Sequence, residues 1–294
     1  MSRPNPAILG LGGSWRSLSS SGAATMLDDD GLPLDEVGAW TKEKHERLRK
    51  YVDISRAVRR KFIQRTGAAT YIDLFCGKGR AVIRETGERI DGSPLVAFKS
   101  AVKGRVPFSE IYIADETEET CRAASQRIAS AGGSATVEVG RAEETAPRIV
   151  GRLNPNGLHL ILLDPFNLED LSFSVIEAFR GLRCVDLLIH FSAQDLQRNL
   201  DAYALSKDSP LDRVAPGWRE VVDLRQSKRA TRAAFVAYWA SKIEALGLPP
   251  AKHAELVSGS KNQRLYWLVF ASRHALARQF WDKIRNVSGQ GELL

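Results

Sequence analysis

Cysteine is scarce in this chain of 294 residues. The three present, Cys76, Cys121 and Cys184, lie far apart, form no Cys-x-x-Cys pair and would leave one thiol over after any bridge. That excludes a disulfide framework or a cysteine zinc site and predicts reduced, buried thiols. The five histidines, His45, His159, His190, His253 and His274, show no metal-ligand spacing either, so no metal is expected. Long hydrophobic runs are missing too. No stretch approaches the roughly 18 apolar residues of a membrane span, and residues 7–11 lack the charged start and cleavage pattern of a secretory signal. The expected address is cytoplasmic, without a membrane partner.

What the chain does carry is an ordinary globular share of hydrophobic residues, 44%, and a net charge of +7 that is unevenly spread. Residues 41–65 hold 10 Lys and Arg against 3 Asp and Glu, whereas residues 66–205 hold 15 against 19. Residues 206–294 are basic again. Basic flanks around an acidic centre would draw a polyanion or phosphorylated substrate to the rim of a central site; solvated helix faces account for the pattern equally well.

Residues 1–40 are rich in Gly, Ser and Pro, include Asp28-Asp29-Asp30 and show no sustained period, so an irregular extension is expected. From Thr41 apolar residues recur at helical spacing, with Arg and Lys between them, predicting one basic amphipathic helix over 41–66. Short β-rich runs follow near 69–75, 109–114, 135–139, 158–163 and 184–191, alternating with helical stretches over 94–103, 117–131, 143–152, 171–180 and 228–246 within a helical segment 206–250. Such alternation means right-handed βαβ crossovers and a mostly parallel sheet covered on both faces. The late runs 254–258 and 265–271, joined by Gly259-Ser260-Lys261-Asn262, can pair only as an antiparallel hairpin, before a last helix near 274–286. The whole of 41–294 reads as one α/β, Rossmann-like domain.

Chemistry is concentrated at the ends of these strands. The first ends in Tyr71-Ile72-Asp73-Leu74-Phe75-Cys76-Gly77-Lys78-Gly79-Arg80. Gly77 and Gly79 permit a tight turn where a ligand lies against bare backbone, and Asp73 can take hydrogen bonds from that turn or reach the amino group of a zwitterionic cofactor. The third glycine of a dinucleotide fingerprint is missing, since Val82 stands there, which disfavours nicotinamide or flavin. Ser93 and Pro94 suit an N-cap and first helical position. Asp115 and Glu116 end the second strand, where a carboxylate either holds a ribose diol or caps the next helix. Arg141, Ala142 and Glu143 follow the third strand, beside the expected adenine position. The fourth ends in Asp164-Pro165-Phe166-Asn167, which resembles the Asp-Pro-Pro-Tyr corner of amino-methyltransferases, where the acid holds a planar amine and the ring stacks on it; the second proline is absent. Ser192 and Arg198 follow the fifth strand as candidate substrate contacts. No Pro-Cys pair supports covalent attack through cysteine.

Several phrases together resemble the three-Cys-motif partner protein (TcmP) family of methyltransferase-like proteins. They are Lys44-His45-Glu46-Arg47-Leu48 with Tyr51, the glycine phrase 71–80, Asp91-Gly92-Ser93-Pro94-Leu95, Leu163-Asp164-Pro165-Phe166, Asp186-Leu187-Leu188-Ile189-His190-Phe191-Ser192, and Tyr266-Trp267-Leu268-Val269-Phe270-Ala271-Ser272. They span about 41–290. Cys76 and Lys78 depart from the usual small or Pro residues, Asn167 from glycine, and Arg141 from an acid. The resemblance implies a class I methyltransferase fold, a seven-stranded sheet closed by an antiparallel hairpin, with S-adenosyl-L-methionine as cofactor. It further implies joint action with a three-cysteine radical-SAM-like protein, but no particular substrate. The basic flanks and the Asp164 corner lead to the expectation of N- or O-methylation of a nucleobase, nucleotide or other anionic acceptor, with Lys44, His45 and Ser93 near substrate. A non-catalytic scaffolding partner and a nucleic-acid-binding module are the alternatives.

Overall fold

Runs of Leu, Ile and Val that stay apolar at every position build the centre of the molecule, because a parallel strand covered on both faces has no polar side to show. The computed structural model describes residues 26–252, 255–258 and 264–285. Its elements, in chain order, are β1 (Asp35–Val37), α1 (Thr41–Ile54), α2 (Arg56–Thr66), β2 (Ala69–Asp73), β3 (Arg80–Ile83), β4 (Arg89–Asp91), α3 (Ser93–Lys103) and β5 (Glu110–Asp115). They continue with α4 (Glu118–Ser130), β6 (Thr136–Val139), α5 (Ala142–Val150), β7 (Leu158–Leu163), α6 (Phe173–Ala178), β8 (Cys184–Phe191), α7 (Ala193–Leu205), α8 (Pro210–Val214) and α9 (Trp218–Val221). The last are α10 (Lys228–Ala245), β9 (Glu255–Ser258), β10 (Arg264–Ser272) and α11 (Ala275–Arg285).

The main sheet has seven strands in the order β6-β5-β2-β7-β8-β10-β9. The first five run parallel, with Ile72 opposite Ile161 and Ile161 opposite Leu187, and β10 lies antiparallel to both β8 and β9. This is the expected Rossmann-like class I methyltransferase fold, including the late hairpin; the turn 259–262 and residue 286 of the last helix fall outside the described residues. One face packs on α5 to α10 through Ile149, Ile176, Leu196, Phe235 and Trp239. The other packs on α1, α3, α4 and α11 through Tyr51, Leu95, Ile128 and Trp281, whose indole stacks on Phe270 at 5.3 Å. Each such side chain contributes on the order of 1.5–3 kcal/mol on burial. The strand order reverses between β2 and β7, and a reversal of this kind opens a crevice at the strands' carboxyl ends. Asp73 ends β2 there and Asp164 follows β7.

Three local readings differ from the sequence. The basic helix is two helices: Ser55 Oγ donates to the Tyr51 carbonyl at 2.7 Å and the buried Arg59 Nη1 takes the Val52 carbonyl at 2.8 Å, which breaks the ladder between α1 and α2. Ser93 is the first residue of α3 and not its cap; Gly92 stands at the cap, with extended backbone and no side-chain bond. Residues 26–40, expected to be irregular, supply β1, which pairs in parallel with β3, while β4 closes the hairpin into a second, three-stranded sheet beside the glycine turn.

Candidate functional site

The turn after β2 is shaped by two glycines in the left-handed region, Gly77 at φ 56° and Gly79 at φ 80°. A Cβ on Gly79 would meet the Ala124 backbone of α4 at 2.9 Å, so this glycine serves helix packing. Gly77 faces Asp35 of β1, and a Cβ there would lie 2.6 Å from Asp35 Oδ2. The turn's amides point at two carboxylates: Gly77 N–H donates to Asp115 Oδ2 at 3.0 Å and Lys78 N–H to Asp35 Oδ2 at 2.7 Å. Arg127 ties the incoming segment to the turn. Its guanidinium holds Asp30 at 2.8 and 2.9 Å and donates to the Pro33 and Lys78 carbonyls at 2.8 and 2.7 Å.

Asp73 is fully buried. It accepts from Tyr71 Oη at 2.8 Å, from the Phe75 amide at 3.3 Å and from the Ser93 hydroxyl. Burial raises its carboxyl to about 6, although the Ser93 and Tyr71 bonds pull the other way. Phe75 itself is half-buried against the core.

Beside it lies a second cluster. Lys44 Nζ of α1 pairs with Asp164 Oδ2, and His190 Nδ1, near the end of β8, sits 3.0 Å from Asp164 Oδ1 and 3.2 Å from the Pro165 carbonyl. Burial pushes the Asp164 carboxyl up, but Lys44 and His190 more than offset this and hold it well below the usual carboxylate range. Two acceptors facing Nδ1 place a proton on that nitrogen, which leaves Nε2 the basic one in the neutral ring. The His190 ring meets the Tyr266 ring edge-on at 4.2 Å. His45 bonds the Asp91 backbone; burial first, then Lys44, drive its imidazole down to about 3, so it is neutral at pH 7. Phe166, next to Asp164, is 94% exposed and packs on nothing.

A third group forms at the ends of β5 and β6, where Arg141 lies 3.8 Å from Glu116 and 3.6 Å from Glu143 and leads into α5; Ala142 is buried behind it. Other predicted contacts serve local structure or stand apart. Asn167 Oδ1 accepts from the Asp170 amide at 3.1 Å, Ser192 Oγ caps α7 by accepting from the Asp195 amide at 3.2 Å, and Arg198 is exposed on α7. Sequence reasoning missed Asp35 and Lys78 as a pair over the turn, and His190 as the partner of Asp164. The signal for His190 is register: Leu163 pairs with Ile189, which puts His190 level with Asp164.

No family model matches the chain, and no curated protein matches it. Among solved structures, it is similar to an O-methyltransferase from Bacillus cereus in complex with SAH, 12% identical, with 83% of this chain and 84% of that chain covered at TM-score 0.47. It is also similar to the O-methyltransferase TomG from Streptomyces achromogenes, involved in tomaymycin synthesis and in complex with SAM, 13% identical, with 78% of each chain covered at TM-score 0.45. Among the described residues, no helix is long and apolar enough to cross a membrane.

Proposed function

We propose that this protein is an S-adenosyl-L-methionine-dependent methyltransferase acting on the nitrogen or oxygen of a planar, anionic acceptor such as a nucleobase or nucleotide. The observation that carries this reading is the meeting, at the strand reversal, of the Gly77–Gly79 turn with a corner where the exposed Phe166 flanks Asp164. The turn fits the cofactor because its bare backbone at Gly77 lies at the end of β2, with the carboxylates of Asp35 and Asp115 drawn up against its amides. Asp115 and Glu116 stand at the neighbouring strand end to meet a ribose, and the loop at Arg141, Ala142 and Glu143 borders the base. Bound there, the cofactor would supply a methyl group activated on a sulfonium, so the chain's own contribution is positioning and removal of one acceptor proton.

Phe166 offers a stacking surface for the acceptor ring. Asp164, held by Lys44, orients His190, and Nε2 of His190 takes the proton from the acceptor N–H or O–H. The lone pair so freed on the acceptor would take up the methyl group while its bond to the cofactor sulfur breaks, the electron pair of that bond staying on sulfur. The resemblance to three-Cys-motif partner proteins extends the proposal to joint action with a three-cysteine radical-SAM-like protein. A second reading, nucleic-acid binding, is favoured by α2, whose Arg60, Lys61 and Arg65 carry no ion pair among the described residues, with Arg105 and Arg183 lining the depressions beside it. Calorimetric titration of the full chain with S-adenosyl-L-methionine tests the proposal. Saturable binding at one site is expected, weakened by Gly77→Val; no saturable heat would sink it.

A further inference from the structure

Asp73, the acid that the glycine phrase offers for an amino group, is completely buried and already accepts from Tyr71, Phe75 and Ser93, so the turn needs another group to read a zwitterion. Two side chains of opposite charge stand over it. Asp35 comes from β1 and seats one carboxylate oxygen, Oδ2, on the Lys78 amide at 2.7 Å. Its other oxygen, Oδ1, accepts no hydrogen bond among the described residues and lies 3.8 Å from Lys78 Nζ, beyond hydrogen-bond reach. Lys78 Nζ rests on the Leu34 carbonyl at 3.1 Å. The Asp35 and Lys78 side chains are 35% and 24% exposed, so both are accessible to a ligand. Burial pushes the carboxyls of both Asp35 and Asp115 up, and the Asp35 charge adds to the rise at Asp115. A cation placed beside them would favour both ionised forms.

We infer that Asp35 and Lys78 form a clamp for the α-amino acid end of the cofactor, with Asp35 Oδ1 accepting from the ligand ammonium and Lys78 Nζ donating to the ligand carboxylate. This rests on the methyltransferase reading above. It gives β1 a function: the three-residue strand exists to carry one carboxylate to the turn, and Arg127 fixes it there through Asp30 and Pro33. It also accounts for a lysine where related phrases have a small residue or proline.

The test is calorimetric titration of full-length wild type, Asp35→Asn and Lys78→Met with two ligands. S-adenosylhomocysteine has the amino acid end, and 5′-methylthioadenosine lacks it. Asparagine still accepts from the Lys78 amide, and the second ligand reports an intact nucleoside site. Each variant is expected to lose about tenfold in affinity for S-adenosylhomocysteine, the size of one charge-assisted bond, and to keep its affinity for methylthioadenosine within about twofold. Unchanged or tighter S-adenosylhomocysteine binding, or equal loss of both ligands, would overturn the clamp. Wild type that binds methylthioadenosine but not S-adenosylhomocysteine overturns it too, whereas wild type that binds neither removes the methyltransferase reading itself.

Discussion

Asp164 Oδ1 lies 3.0 Å from His190 Nδ1, two side chains at the ends of neighbouring parallel strands. The contact fixes which ring nitrogen bears the proton and leaves the other as the base of the proposed reaction. His190→Gln should therefore lower kcat by about 10²–10⁴-fold, the usual contribution of a positioned base, while leaving cofactor affinity unchanged. Steady-state rates beside cofactor titration check both halves, and an unchanged rate removes the base from His190.

Lys44 and Asp164 form a pair with side chains only 11% and 14% exposed. Removing one partner strands the other charge, so Lys44→Met should cost about 3 kcal/mol, the low end for a buried pair because His190 remains beside Asp164. The double variant Lys44→Met/Asp164→Asn should recover much of that loss. Denaturant unfolding of both proteins decides it, and two additive losses would contradict the pairing.

The raised carboxyl of Asp73 makes a pH prediction. Burial raises it to about 6 in the folded chain from the 3.8 of an ordinary aspartate, so the folded state binds the extra proton between these values. Its contribution favours folding at the acid end and is lost as pH rises from about 4 to 6. Asp73→Asn should gain on wild type across that window by about 3 kcal/mol, at about 1.4 kcal/mol per unit. Unfolding free energies of the two proteins at pH 4 and pH 7 measure the difference; a constant gap would show that burial does not shift this acid.

Phe166, at 94% exposure, has no packing to lose. Phe166→Ala should stay within about 0.5 kcal/mol of wild type in stability and raise KM for the acceptor. A destabilised variant with unaltered KM would mark the ring as structural.

The sheet was legible because β7 and β8 are apolar along nearly their whole length, and the late hairpin because two strands so close in sequence have only one way to pair. β1, β3 and β4 were not legible. Asp35–Val37 is three residues long and begins with two acids, and it is held by backbone pairing to β3 and by Arg127, a residue about 90 positions away. Nor does helical periodicity foresee the break at Ser55, which depends on a buried guanidinium reaching back to Val52. At the site, the glycine turn and the Asp-Pro-Phe corner stand out as local phrases. The Lys44 to Asp164 pair spans 120 positions and Lys78 to Asp35 spans 43, so only folding brings them together.

A crystal structure of the full chain grown with S-adenosylhomocysteine tests the central claim most directly. The account predicts ligand density lying on the Gly77–Gly79 turn, its amino acid end between Asp35 and Lys78 and its sulfur directed toward Asp164 and Phe166. Crystals saturated with the ligand that show an empty turn, or density elsewhere on the protein, would contradict it.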